Sequence, residues 1–192
     1  MKRALLEYAK QRFIEMQQSN NEDQKSSSTK LAAPISPTPN LLIETFLPRL
    51  NLNSNSLLVD LGCGDGRWLI AANKHTKCHC LGIDVDEERL AIARKSICDN
   101  QLQNMVRVRN QDVFEFVKRS DEFIEADVIV IYLFREAMLE MGSLIRKRLS
   151  GSKKNSSRTK GIQILSVGFA REDSRVFTIQ LRVLARYQDL HS

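Results

Sequence analysis

The sequence predicts a doubly wound α/β fold, with a mostly parallel sheet, helices on both faces and an antiparallel C-terminal strand. Three observations carry that reading. Leu57–Leu61 is apolar except for Asp60, and Asp127–Leu133 ("DVIVIYL") is apolar after its first residue, as strands covered on both faces must be. The stretches between such runs place apolar residues at helical spacing, so strands and helices alternate. Finally, "FTIQLRVLARY", Phe177 to Tyr187, alternates apolar and polar residues, the pattern of an edge or antiparallel strand.

The elements follow in order. Leu5, Leu6, Ala9, Phe13 and Met16 predict a helix over residues 2–18. "SNNEDQKSSSTK", Ser19 to Lys30, is polar without a period and reads as a linker. This sets two units: an N-terminal helix and linker over 1–33, and a main domain over 34–192. "APISPTPN" is a proline-punctuated turn, and Asn40 is placed to cap a short helix reaching Leu47. The spacing then predicts a strand at 57–61, a helix at 67–74, a strand at 80–83 and a helix at 86–99. A strand follows at 106–109, a short helix at 113–118 and a strand at 127–133. A helix at 135–149, a strand at 162–167 and the closing strand at 177–187 complete the series. Ligands on such sheets sit at the carboxyl ends of the strands, near the point where strand order reverses.

Composition narrows the classes. The 192 residues suffice for one compact domain, and 42% hydrophobic with 27% charged residues is ordinary for a soluble globular chain. No run of ~18 apolar residues predicts a membrane span. The N-terminus lacks the apolar core of a secretory signal, and Glu7 and Glu15 argue against a transit peptide. The expected location is therefore cytoplasmic, with a mitochondrial one as the alternative. The four cysteines, Cys63, Cys78, Cys80 and Cys98, lack paired C-x-x-C spacing. Strand alternation would turn Cys78 and Cys80 to one side and His79 to the other, which suits a buried strand better than a metal site. No metal is expected. The net charge of +6 is uneven, since Arg146 to Lys160 holds seven bases and no acid. That segment reads as a solvated helix end and loop, or as a docking surface.

The chemistry gathers after the first strand, in "LLVDLGCGDGRW". Gly62, Gly64 and Gly66 let the backbone approach a ligand and reach dihedrals that other residues avoid. A helix starting near Gly66 would aim free N–H groups back at the loop. A dinucleotide fold wants G-x-G-x-x-G, whereas this spacing is G-x-G-x-G with Asp60 and Asp65 beside it. Two acids repel a pyrophosphate. They suit a zwitterionic or cationic ligand, whose carboxylate the loop N–H groups could still meet. Twenty residues past Gly64, Asp84 ends the second strand, where an acid accepts both hydroxyls of a ribose. Asp112 follows the third strand, where a carboxylate would accept the exocyclic amine of adenine. An amino acid, a ribose and an adenine on successive strand ends describe S-adenosylmethionine.

"VDLGCGDGRW", "GIDVDEERLAIAR", "NQDVFEF" and "DVIVIYLF" resemble, in order and spacing, the four sequential motifs of the class I S-adenosylmethionine-dependent methyltransferases, over roughly Pro34 to Val167. The resemblance implies a Rossmann-like fold with S-adenosyl-L-methionine as cofactor. It implies that Asp60, Gly62, Gly64, Asp65 and Gly66 shape the methionine pocket and that Asp84 holds the ribose. Asp112 would hold the adenine, and Val85 and Val113 would sandwich its ring. The closer resemblance is to a small group of protein-lysine methyltransferases acting on the adenine nucleotide translocase and the ATP synthase c subunit. It rests on "SPTPNLLIETFL", "DLGCGDGR", "GIDVDEERLAIAR" and "VIVIYLF". Members of that group carry an N-terminal membrane segment, which this sequence lacks, and the basic stretch before the fifth strand is a further departure.

The resemblance implies methyl transfer to a protein lysine. Tyr132 would meet the target amine at the end of the fourth strand, or merely pack there, and Thr38 would fold over the methionine end. The chain lacks the [D/N/S]-P-P-[F/Y/W] motif of many base-amine methyltransferases and reads Ile131-Tyr132-Leu133-Phe134 instead. The rivals are an RNA methyltransferase gripping phosphates with 146–160 and a non-catalytic methyltransferase-like binding subunit. An aromatic content of 6% leaves few rings for base stacking, which weakens the first. The expected partner is a protein substrate, with RNA as the alternative; the sequence does not fix the oligomeric state.

Overall fold

The computed structural model describes Thr38 and residues 40–133, 135–151, 161–169 and 177–184. The expected helix over 2–18, the linker over 19–30, the proline turn apart from Thr38 and Asn40, and the basic residues beyond 151 lie outside the described residues. Helix α1 (Asn40–Phe46) passes through a 3-10 turn (Leu47–Arg49) towards β1 (Leu57–Leu61). Then come α2 (Arg67–Thr76), β2 (His79–Asp84), α3 (Glu87–Asp99), β3 (Val106–Asn110), α4 (Val113–Arg119) and α5 (Asp121–Glu125). The chain continues through β4 (Val128–Tyr132), α6 (Arg135–Gly151), β5 (Ile162–Phe169) and β6 (Phe177–Leu184).

Two local differences from the expectation have simple causes. Pro48 opens the 3-10 turn and has no N–H to continue α1. Helix α5 was not expected, because five residues are too few to show a helical period.

The sheet order is β3-β2-β1-β4-β5-β6. The first five strands pair in parallel, and β6 pairs antiparallel with β5. The order reverses between β1 and β4, and on such sheets ligands bind at the carboxyl ends of the strands beside that point. Alternate residues of each central strand feed two cores. Leu58, Cys80, Val128, Val130 and Tyr132 pack with Leu42, Ile43, Trp68, Leu69, Leu90 and Ile97 from α1, α2 and α3. Val59, Leu61, Leu81, Ile83, Ile129 and Ile131 pack with Phe116, Val117, Phe123, Met141 and Ile145 from α4, α5 and α6. Each such side chain, fully buried, contributes about 1.5–3 kcal/mol. This double coverage is why β1 and β4 read as apolar runs. Cys78 and Cys80 are buried with their sulfurs 3.5 Å apart, while His79 is exposed.

Gly82 ties the core to the glycine loop. A Cβ there would stand 2.6 Å from Cys63 Sγ and 2.6 Å from Leu69 Cδ1. Cys63 belongs to the glycine loop and Leu69 to α2, so glycine at the centre of β2 lets the loop seat against the sheet. Gly82→Ala is expected to destabilise the protein by about 1–3 kcal/mol through overpacking. A denaturant midpoint equal to that of the parent would refute this.

Candidate active site

The chain leaves β1 through Gly62, Gly64 and Gly66, with φ of +88°, +51° and +76°. At two of these positions a side chain would also press on a neighbour. A Cβ on Gly62 would lie 3.3 Å from the Tyr132 carbonyl oxygen, and one on Gly66 would lie 3.1 Å from Ala93 Cβ. The loop is thus clamped between β4 and α3, and α2 starts directly beyond it.

Five of the N–H groups expected to stand ready for a ligand carboxylate have partners within the protein. Gly62 and Cys63 both donate to the Ile83 carbonyl, at 2.8 and 3.2 Å. Gly66 donates to the Cys63 carbonyl at 2.9 Å, and Gly64 to Asp84 Oδ2 at 2.8 Å. The Arg67 N–H turns to Asp65 Oδ1 at 3.3 Å. These donors are spent on fixing the loop, because a buried backbone N–H left unpaired is costly.

Asp84 is preset by the same bonds. Its Oδ2 accepts from Gly64 and its Oδ1 from the Asp86 N–H at 3.0 Å. Each carboxylate oxygen has a second lone pair, so the group can still accept two hydroxyls. Next to it, Val85 is 61% exposed, an apolar wall open to a flat ring. Asp112 is exposed at the end of β3, with one oxygen spent: its Oδ1 caps α4 by accepting from the Glu115 N–H at 2.9 Å. Val113 lies elsewhere than expected. It is buried among the residues under α4, so its side chain does not form an open wall opposite Val85. The Asp112 cap fixes the phase of α4 and turns Val113 into the core.

Three carboxylates converge on the loop. Asp60 is 2% exposed. Burial raises its pKa well above the ordinary value, and the charges of Asp84 and then Asp65 raise it further. Burial also pushes the Cys63 thiol far up, and Asp60 and Asp84 add to that, so Cys63 is inert packing. Asp65 differs. Burial pushes its carboxyl up, but the hydrogen bonds and charge of Arg67 outweigh that and hold it below the ordinary value. Asp65 Oδ1 accepts from Arg67 Nε at 2.9 Å, and Oδ2 accepts from Nη2 at 2.5 Å. Arg67 Nη1 also donates to the Thr38 carbonyl at 3.0 Å. Asp65 therefore braces the loop, and Thr38, itself buried, is brought to it through Arg67.

Tyr132 ends β4 beside Gly62 and is 6% exposed. Burial pushes its phenol above the ordinary range, with the Arg89 charge opposing, so the hydroxyl stays protonated around neutral pH. It can donate and accept a hydrogen bond but cannot act as a phenolate base. Sequence reasoning missed Arg67 and Arg89. Arg67 could have been found from its position two residues past an acid at a helix start. Arg89 reads in sequence as an ordinary helix-surface partner of Asp86.

The residues present fit S-adenosylmethionine. Asp84 offers free lone pairs, Val85 offers an apolar wall, and the Asp60, Asp65 and Asp84 cluster favours a cation over a pyrophosphate. Among the described residues, no cluster could hold a metal ion, and no helix is long and apolar enough to cross a membrane.

Comparison with known proteins agrees. The family model of the ANTKMT methyltransferase domain matches residues 60–173, more than half of the chain. A protein-lysine N-methyltransferase of Saccharolobus islandicus is 28% identical over 101 residues, 52% of this chain and 60% of that protein. A ribosomal protein L11 methyltransferase of Citrobacter koseri is 32% identical over 109 residues, 57% of this chain and 34% of that protein. The chain thus spans less than two thirds of the length of either relative. An RNA methyltransferase from Salinibacter ruber, solved with S-adenosyl-L-homocysteine, superposes with a TM-score of 0.63 at 23% identity, over 78% of this chain and 94% of that one, which shows a shared fold. From the strand-end acids, the glycine loop and the match over residues 60–173, the chain belongs to the ANTKMT methyltransferase-domain family, within the class I S-adenosylmethionine-dependent methyltransferases.

Proposed function

We propose that this chain transfers a methyl group from S-adenosylmethionine to a lysine amine of a protein. The observation that carries the reading is the convergence of Asp60 and Asp84 on one glycine loop, with the main chain of Tyr132 beside Gly62, within the stretch matched by the family model. The protein-lysine relative supports the target class. When bound, S-adenosylmethionine supplies a methyl group on a sulfonium, transferred by direct in-line displacement. The chain's own residues hold and orient the reactants, which is the larger part of catalysis in such a transfer. Asp84 takes the ribose, Asp112 the adenine amine with its remaining oxygen, and Asp60 faces the positive end. A lysine must lose its proton, from an ordinary pKa of about 10.4, and a buried mouth beside Tyr132 lowers that value by desolvation. The protonated Tyr132 hydroxyl orients the neutral amine by accepting one of its N–H bonds, which leaves the nitrogen lone pair for the methyl carbon.

Topology separates the basic helix end from this mouth. Helix α6 starts at the edge where β4 ends and returns to the opposite edge, where β5 begins. There Arg148 Nη2 meets the Ser120 carbonyl at 3.5 Å and Asp121 Oδ1 at 3.5 Å. The bases at the end of α6 are therefore remote from the loop, which argues against their gripping a nucleic-acid target at the methyl site.

The test is label transfer from radiolabelled S-adenosylmethionine into a lysate lacking this protein, divided between nuclease and protease. Label that survives nuclease and disappears with protease supports the proposal; label removed by nuclease would move the target to RNA. Tyr132→Phe is expected to lower kcat about 10-fold or more while leaving cofactor affinity within twofold, as loss of one orienting hydrogen bond predicts. An unchanged kcat would reduce Tyr132 to packing.

A further inference from the structure

We infer that Asp65 and Arg67 form one clasp that positions Thr38 at the methionine end of the cofactor, with Arg67 as the positioning residue. The inference deepens the S-adenosylmethionine reading and rests on it. Beside the glycines, Asp65 could instead take the ligand's ammonium directly. Its bonds favour the clasp. Asp65 Oδ1 accepts from Arg67 Nε at 2.9 Å and from the Arg67 N–H at 3.3 Å. Its Oδ2 accepts from Nη2 at 2.5 Å and from Nε at 3.2 Å. Both oxygens thus face one guanidinium, the two-pronged arrangement that adds direction to charge. The two side chains are 30% and 29% exposed, and a loosely paired ion pair so solvated would be worth little. A two-pronged pair is the exception to that rule.

The guanidinium has a further bond, and it reaches far along the chain. Arg67 Nη1 donates to the Thr38 carbonyl at 3.0 Å, a partner 29 residues earlier. Thr38 is buried and stands two residues before α1. Helix α1 sends Leu42 and Ile43 into the same core as Trp68, the residue after Arg67. Packing and clasp together fix residue 38 where the glycine loop enters α2, at the turn that Gly66 makes with φ of +76°. Charge divides the loop acids in the same way. Burial pushes the Asp65 carboxyl up, but the bonds and charge of Arg67 outweigh that, so Asp65 is ionised at neutral pH with its counter-charge in place. Asp60 is raised by burial and then by the acids beside it, so it gains more from a ligand cation. The ammonium therefore falls to Asp60, and Asp65 serves Arg67. A lysine at position 67 could not replace the clasp, because a single ammonium lacks the planar fork that spans a carboxylate and a carbonyl at once.

The experiment compares two ligands that share an adenosine thioether and differ in the amino-acid end. The purified full chain, Arg67→Gln, Arg67→Lys, Asp65→Asn and the double variant Asp65→Asn/Arg67→Gln are titrated calorimetrically with S-adenosylhomocysteine and with 5′-methylthioadenosine. Arg67→Gln should weaken S-adenosylhomocysteine about 10-fold or more and leave 5′-methylthioadenosine within twofold. Arg67→Lys should lose nearly as much. The double variant should bind within about twofold of Arg67→Gln alone, because partners in one unit are not additive. Asp65→Asn keeps the shape of its side chain and carries the comparison of ligands if Arg67→Gln does not fold. Equal losses for both ligands, or none, would show that the clasp serves the fold alone. Full affinity in Arg67→Lys would show that charge suffices, and additive losses in the double variant would show that Asp65 meets the ligand by itself. Each of these overturns the inference. Failure of the parent protein to bind either ligand would overturn the cofactor reading beneath it instead.

Discussion

Asp84→Ala is expected to weaken S-adenosylmethionine binding by about 100-fold or more, the largest effect of any single substitution in the cofactor site. Two losses combine. The variant removes a charged acceptor for two ribose hydroxyls, and hydrogen bonds to charged groups are worth about 1.5–3 kcal/mol each. It also frees the Gly64 and Asp86 N–H groups, which now bond to the two Asp84 oxygens. The loop that faces the methionine end then loses one of its ties to β2 and keeps those from Gly62 and Cys63 to the Ile83 carbonyl. Asp84→Asn should be milder, since the amide oxygen can keep one of those N–H bonds. Calorimetric titration measures both variants. Affinity within threefold of the parent in Asp84→Ala would remove the ribose assignment.

Asp60→Asn is expected to act in opposite directions on stability and on binding. Burial, then Asp84, then Asp65 raise the Asp60 pKa in the folded chain. Between the ordinary carboxylate pKa and this raised value, the folded state holds a proton that the unfolded state has released. Stability therefore falls as pH rises through that window and is level above it. Asparagine removes this titration and the like-charge repulsion. The thermal midpoint of the cofactor-free variant at neutral pH should exceed that of the parent, by about 2–4 °C for each kcal/mol relieved. The excess should shrink towards acid pH, where Asp60 is protonated in both states. Cofactor affinity should fall about 10- to 100-fold at neutral pH, because the cation loses its buried counter-charge. A variant with a lower midpoint at every pH would show that the Asp60 carboxylate stabilises the fold and that the acid cluster is not held for a ligand.

The fold and the loop were legible for different reasons. Buried parallel strands leave apolar runs, so β1 and β4 could be read directly, and an acid closing β2 or following β3 is visible because strand ends are well marked. The three glycines showed a special backbone, and positive φ at Gly62, Gly64 and Gly66 agrees. What the sequence hides is direction. Asp65 and Asp60 look alike beside the glycines, yet Asp65 turns to Arg67 while Asp60 stays buried in the sheet. Val85 and Val113 each follow an acid at a strand end, yet one lies open and the other enters the core, because the helix phase set by Asp112 is a three-dimensional fact. Gly82 looks like an ordinary strand glycine until Cys63 and Leu69 are seen filling its missing Cβ. Arg89 is a plain i, i+3 partner of Asp86 until the loop comes round to meet it.

The most direct test of the account is the chemical identity of the methylated product. The purified chain is incubated with radiolabelled S-adenosylmethionine and lysate protein, with Asp84→Ala alongside. The labelled protein fraction is then hydrolysed to amino acids and chromatographed. The account predicts label eluting with methylated lysine and absent with Asp84→Ala. Label in a different amino acid, or confined to nucleosides in the fraction set aside, would contradict it.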